Sequence, residues 1–180
     1  MKQLPNILSV IRLILVPIFV FVFFSGDPNA HTIALGIYVL ASITDVLDGY
    51  IARRYNLVTE LGTVLDPLAD KLMLIAAMTC IYLEGNVPLI VLGLVIAKES
   101  FQILAGFYLY WRKTKVVIPA NKFGKLGTIL FFLSIVLILS EVEVWIYSLV
   151  VLGAVLVSVL ALISYSKHYF ANHHKSDEKG

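Results

Sequence analysis

Six long apolar segments constrain the fold of this chain more than any other feature of its sequence. Each contains about 20 mostly apolar residues, which as an α-helix would cross the hydrocarbon core of a bilayer. Short polar stretches separate them. The sequence therefore predicts an all-α membrane protein, a bundle of six transmembrane helices. The expected spans are residues 4–24, 31–53, 61–83, 87–111, 122–140 and 144–166.

The composition excludes several other classes of protein. Of the 180 residues, 59% are hydrophobic and 14% are charged, whereas a soluble domain has about 45–50% apolar and about 25% charged residues. The net charge of +2 is too small to indicate a nucleic-acid partner. The first apolar segment superficially resembles a secretory signal, but residues 25–30 form a poor cleavage site, so we interpret it as the first span.

The basic residues outside the spans predict the topology. In a six-span arrangement they all fall on one side, while the opposite loops contain acidic residues and no lysine or arginine. Positively charged loops stay in the cytoplasm, so both termini are expected there, in a multi-pass protein of the cell membrane. We expect residues 1–170 to form a single domain and residues 171–180 a flexible cytoplasmic tail.

Four aspartates lie where an apolar span should contain none. Asp45 and Asp48 are three residues apart near the cytoplasmic end of the second span, and Asp66 and Asp70 are four apart near the start of the third. Both spacings place the side chains on one helical face, and both pairs lie at the same depth. Converging carboxylates in a medium of low dielectric stay ionised only if cations neutralise them. Oxygen ligands favour Mg²⁺ or Mn²⁺, and four carboxylates suffice for two ions.

Small residues and one arginine accompany these aspartates. Gly49, Ala52 and Gly62 either allow close helix packing or leave room for a phosphorylated group beside the metals. Arg53 can donate two hydrogen bonds to a phosphate. A two-metal aspartate site with an adjacent arginine predicts chemistry on a phosphate or pyrophosphate.

Residues 45–70 read Asp45-x2-Asp48-Gly49-x2-Ala52-Arg53-x8-Gly62-x3-Asp66-x3-Asp70. This pattern resembles the complete signature of the CDP-alcohol phosphatidyltransferases. Residues 4–12 and 61–72 resemble the members of that family that use glycerol 3-phosphate as acceptor. Residues 118–125 follow the family less closely, and Lys98-Glu99 stands where many members have arginine followed by an acid. Phosphatidylglycerol (as in cardiolipin synthase), inositol phosphate and serine therefore stay open as alternative acceptors.

The resemblance implies transfer of a phosphatidyl group from CDP-diacylglycerol to glycerol 3-phosphate, with release of CMP, at the cytoplasmic face. It implies that Asp45, Asp48, Asp66 and Asp70 hold two Mg²⁺ or Mn²⁺ ions and that Asp70 is also the general base. It further implies a homodimer. The expected contacts to CDP-diacylglycerol are Asn6, Ser9, Asp48, Gly49, Ala52, Arg53, Thr59 and Gly62.

Glycerol 3-phosphate carries a phosphate that needs a basic pocket of its own. Lys98 lies deepest in its span, although it could instead pair with Glu99 or with an aspartate. The other available cations also fit the rule that positive loops are cytoplasmic. The candidates for the acceptor phosphate are Lys98, Arg112, Lys122 and Lys125.

A transporter or cation channel could also place acids inside a helical bundle. Conduction requires polar groups along the whole path, yet the outer halves of these spans are almost purely aliphatic. A structural scaffold gives no reason for several buried carboxylates, because each charge in the hydrocarbon costs at least about 2.5–3.5 kcal/mol. The sequence therefore favours an enzyme.

Overall fold

A computed structural model describes residues 4–54, 60–111 and 122–177 of the chain. Within these ranges it contains six α-helices and no strand, which confirms the prediction of an all-helical chain for the described residues. The first five helices begin and end within two residues of the expected spans. The sixth continues past residue 166, because a helix can extend beyond the apolar segment into water. The helices are α1 (Leu4–Phe23), α2 (Ala30–Arg54), α3 (Glu60–Leu83), α4 (Leu89–Trp111), α5 (Lys122–Leu139) and α6 (Val144–Asp177).

Local chemistry sets the helix ends on the side opposite the aspartates. Ahead of α2, Asp27 Oδ1 accepts a hydrogen bond from the Asn29 amide at 2.7 Å, with Pro28 between them, a typical N-terminal cap. After α3, Gly85 adopts φ +83°, and the amide of Asn86 donates to the carbonyl of Ile81 at 3.1 Å. This is a Schellman motif, which requires the left-handed conformation that glycine adopts easily.

Helices α1 to α4, together with Ile135–Glu141, form one compact unit. In it α1 packs against α2 and α3, and α3 packs against α4. On α2 the residues Ala34, Tyr38 and Ala41 share one buried face, and the ring of Tyr38 lies 6.2 Å from that of Phe19 on α1. Small residues at this face allow the two helices to approach closely, which brings polar side chains of α1 within reach of α2.

A three-way contact ties this unit together at the start of α2. His31 Nε2 lies 2.9 Å from Glu84 Oε1, just after α3, and His31 Nδ1 lies 3.1 Å from Glu141 Oε1 in the turn after α5. An imidazole with a carboxylate at each nitrogen donates two hydrogen bonds when it is protonated. His31 therefore links three segments that are far apart in the sequence.

The rest of α5, up to Ser134, and α6 belong to a second compact unit. Gly127 on α5 faces Ser158 on α6, and a Cβ atom at position 127 would lie 2.8 Å from Ser158 Oγ. No side chain larger than hydrogen fits there without a shift. The contact between these two helices thus depends on glycine, as is common where helices pack in membranes.

Two helical segments of the described chain are long and apolar enough to cross a membrane, Ala30–Tyr50 and Val144–Ala161. Only about a quarter of their residues are buried inside the protein, and large apolar side chains such as Ile43, Val46 and Leu152 are exposed. Shorter apolar helices cover Ile7–Phe23 and Gly124–Leu139. Apolar faces that are not covered by protein are expected where a helix contacts lipid.

Candidate active site

Arg12 on α1 brings two of the predicted site residues together. Its Nη1 lies 2.7 Å from Asp45 Oδ1 and its Nη2 lies 2.5 Å from Asp48 Oδ2. The arginine is 1% exposed, and Ser9, one turn earlier on α1, is also buried. Since one guanidinium reaches both carboxylates, Asp45 and Asp48 share a face of α2, as their spacing predicts.

The two carboxylates differ in their access to solvent. The side chain of Asp48 is 3% exposed, whereas that of Asp45 is 38% exposed. Both carboxylates contact the same guanidinium, that of Arg12. Of the two, Asp45 is the one that a cation from the aqueous side could reach.

A second group of charges joins α3 to α4. Glu99 is fully buried, and its Oε1 accepts a hydrogen bond from Lys98 Nζ at 2.8 Å. Its Oε2 lies 2.9 Å from Lys71 Nζ, an ion pair that is not aligned as a hydrogen bond. Lys71 Nζ also lies 3.3 Å from Asp70 Oδ2. Asp70, the predicted general base, is thus the end of a chain of alternating charges.

Lys98 is thus paired with Glu99. The sequence left this pairing open as the alternative to phosphate binding by Lys98. Sequence reasoning assigned no site role to Glu99, Lys71 or Arg12. The available signal was the presence of a charged residue inside an apolar span. Because inserting a charge into the membrane costs free energy, such a residue is a candidate for a functional role. The contacts of Arg12 with Asp45 and Asp48 and of Lys71 with Glu99 join separate helices, so spacing along the chain could not identify them.

The other predicted site residues are described to different degrees. Gly49 lies half-buried on α2, and Lys122 and Lys125 are exposed in the first turn of α5, in the second unit. Two predicted residues lie outside the described ranges altogether, Thr59 and Arg112. For five others the helix is described but the side chain is not: Asn6, Ala52, Arg53, Gly62 and Asp66.

Among the residues that the structure describes, no three acidic, histidine or cysteine side chains form a ready-made metal site. The donor chemistry nevertheless fits a hard divalent cation, because carboxylate oxygens are the ligands that Mg²⁺ and Mn²⁺ prefer. Of the three predicted ligands whose side chains are described, Asp45 and Asp70 are accessible, at 38% and 39% exposure.

Comparison with known proteins supports the same chemistry. The family model described as CDP-alcohol phosphatidyltransferase matches residues 2–165. A Rickettsia typhi protein named CDP-diacylglycerol--glycerol-3-phosphate 3-phosphatidyltransferase is 36% identical over 166 residues, which are 91% of this chain and 92% of the relative. A Bacillus subtilis protein of the same name is 36% identical, and the match covers 71% of this chain and 72% of the relative.

A human protein named cardiolipin synthase (CMP-forming) is 36% identical over 110 residues. This match covers 61% of this chain and 36% of the human protein. The family and the Rickettsia typhi and Bacillus subtilis relatives are named as phosphatidyltransferases. With a family match over nearly all of its length, the chain belongs to the CDP-alcohol phosphatidyltransferase family.

Proposed function

We propose that the protein transfers the phosphatidyl group of CDP-diacylglycerol to glycerol 3-phosphate, forming phosphatidylglycerophosphate and CMP in phospholipid biosynthesis. The observation that carries this proposal is the Rickettsia typhi relative, whose name states this reaction and whose match covers nine-tenths of both chains. The aspartate pattern at residues 45–70 supports the reaction class independently.

The proposed setting is the cytoplasmic membrane. The chain would cross it six times, with both termini and the active site at the cytoplasmic face. The exposed apolar helices and the one-sided distribution of lysine and arginine support this topology. Residues 1–170 would act as one catalytic domain, residues 171–180 as a cytoplasmic tail, and the family resemblance supports a homodimer.

The metal site would consist of Asp45, Asp48, Asp66 and Asp70. The family generally depends on divalent metals, and four carboxylates can hold two Mg²⁺ or Mn²⁺ ions. When bound, such ions neutralise charge on the donor pyrophosphate and on the departing CMP. The accessible carboxylates of Asp45 and Asp70 support entry of ions from the aqueous side.

Asp70 would take the proton of the acceptor hydroxyl as that oxygen attacks the phosphorus attached to diacylglycerol. The new oxygen–phosphorus bond forms while the pyrophosphate bond to CMP breaks, and CMP leaves with the electron pair. The partial exposure of Asp70 supports this role, because a water-soluble acceptor must reach it.

The substrate contacts extend this proposal. Lys98 contacts Glu99, Glu99 contacts Lys71, and Lys71 contacts Asp70. A phosphate bound by Lys98 would therefore lie on the same side of this unit as the proposed base. The proposed candidates for binding the acceptor phosphate, each considered separately, are Lys98, Arg112, Lys122 and Lys125. CDP-diacylglycerol would contact Asn6, Ser9, Asp48, Gly49, Ala52, Arg53, Thr59 and Gly62.

The test uses purified full-length protein with CDP-diacylglycerol and Mn²⁺ or Mg²⁺. Glycerol 3-phosphate, phosphatidylglycerol, serine and inositol phosphate are supplied separately, and CMP release is measured. We expect CMP with glycerol 3-phosphate. CMP only with phosphatidylglycerol would instead assign the activity named for the human relative, and CMP only with serine or inositol phosphate would assign those acceptors.

The proposed role of Asp70 has its own test. Asp70→Asn removes the base and a metal ligand, so it should abolish CMP release with every acceptor. Asp27→Asn is the matched control, because Asp27 is exposed, lies in the loop between α1 and α2, and caps a helix, as asparagine also does. Turnover that persists in Asp70→Asn would contradict the two-metal mechanism.

A further inference from the structure

Arg12 is buried between helices and is held by two carboxylates of another helix. It is 1% exposed, and its two terminal nitrogens lie 2.7 Å from Asp45 and 2.5 Å from Asp48. In the part of the chain that the structure describes, Nη2 donates a hydrogen bond to Asp48 Oδ2. Nη1 contacts Asp45 as an ion pair that is not aligned as a hydrogen bond, and Nε has no hydrogen-bond partner. The interactions of this guanidinium that are described are therefore directed at the aspartate pair.

The contact constrains both aspartates at once. A guanidinium is planar and presents its nitrogens at a fixed separation, so Arg12 orients Asp48 through a hydrogen bond and holds Asp45 close to it through an ion pair. Each contact uses one oxygen of its carboxylate, Oδ1 of Asp45 and Oδ2 of Asp48. An ionised carboxylate has about four lone-pair sites on its two oxygens, so a carboxylate that contacts a guanidinium can also coordinate a cation.

We propose that Arg12 is a positioning residue for the metal site, which orients Asp45 and Asp48 and stays in contact with them when divalent ions bind. The inference rests on the proposed role of these two aspartates as metal ligands. Partners that hydrogen-bond to metal ligands orient them, and their loss typically lowers metal affinity or activity by about 10–100-fold.

The alternative is that Arg12 is only a countercharge, which divalent ions displace. The two views predict opposite effects on metal affinity. If Arg12 competes with the ions, its removal strengthens their binding, because a nearby positive charge is lost. If Arg12 orients the ligands, its removal weakens binding despite the lost repulsion.

The experiment measures Mn²⁺ binding to the full-length protein without substrate, by electron paramagnetic resonance of free Mn²⁺. For Arg12→Gln we expect a Kd about 10–100-fold higher than that of the wild type. Arg12→Lys keeps the charge but loses the planar pair of donors, so its Kd should also rise. Arg54→Gln is the control for the loss of a positive charge alone. Arg54 is exposed at the end of α2 and donates a hydrogen bond to the Tyr50 hydroxyl, so the Kd for Mn²⁺ should stay unchanged in this variant.

An unchanged or lower Kd in the Arg12 variants would overturn the inference while leaving the proposed function intact. If Arg12→Gln does not fold, as judged by gel filtration, the Kd of Arg12→Lys for Mn²⁺ decides between the two views. Arg12→Lys keeps a cation beside the buried carboxylates, so this variant is expected to fold. A wild-type protein that binds no Mn²⁺ would instead overturn the metal role of the aspartates, and the inference with it.

Discussion

Glu99 offers the sharpest test of how the buried charges stabilise this fold. Its side chain is fully buried, with Lys98 Nζ at 2.8 Å from one oxygen and Lys71 Nζ at 2.9 Å from the other. Glu99→Gln keeps the shape of the side chain and removes its charge. Lys98, which is 1% exposed, and Lys71, at 14%, would then lose the carboxylate between them.

The expected cost follows from the burial of the network. Breaking a buried ion pair by removing one partner costs about 3–5 kcal/mol, because a charge is left uncompensated at low dielectric. For a chain of 150–250 residues, each kcal/mol shifts Tm by about 2–4 °C. Glu99→Gln should therefore lower Tm by about 6–20 °C. The smaller value is expected because the amide oxygen still accepts a hydrogen bond from one lysine and Lys71 keeps its contact with Asp70 at 3.3 Å.

The assay is thermal unfolding of the detergent-solubilised protein, followed by circular dichroism. Glu143→Gln is the matched control, because Glu143 is an exposed acid just before α6, and surface changes of this kind stay within about 0.5 kcal/mol. A fall of less than about 2 °C for Glu99→Gln would refute the reasoning, since it corresponds to about 1 kcal/mol or less. Glu99 would then not be the compensating charge for either lysine.

Two further predictions concern the acceptor and the second unit. Lys98→Ala should raise the KM for glycerol 3-phosphate more than that for CDP-diacylglycerol, because only the acceptor phosphate is assigned to this lysine; equal effects in steady-state kinetics would exclude the assignment. Gly127→Ala should lower Tm by about 2–12 °C, since its Cβ would lie 2.8 Å from Ser158 Oγ and overpacking costs about 1–3 kcal/mol. Gly153→Ala on α6 has open space and should not lower Tm, so similar losses in both variants would contradict the packing argument.

The helices are the part of the fold that the sequence predicts well. A span is defined by its own apolar length, so α1 to α5 lie within two residues of the expected segments. The end of α6 at Asp177 is the exception. Its last residues are polar, and hydrophobic length carries no information about where a helix ends once it has left the apolar region.

The candidate site is predicted only in part, and the limit is physical. The spacing of Asp45 and Asp48 is a property of one helix, with about 3.6 residues per turn, so the sequence by itself places both on one face. Arg12 lies 36 residues before Asp48, and their contact depends on how α1 is rotated against α2. Likewise, the sequence identifies Lys98 as a buried cation, but only the packing of α3 on α4 places Lys71 beside Glu99.

The sequence alone thus determined the helical class and the limits of α1 to α5, because apolar length and helical period are local properties of the chain, and its resemblance to a known family indicated the reaction class. The tertiary structure decided which charges compensate one another. Charge pairing between helices follows from side-chain packing at their interface, and no spacing along the chain encodes that packing. The pairings of Arg12 with the aspartates and of Lys71 with Glu99 follow only from the packing of α1 to α4.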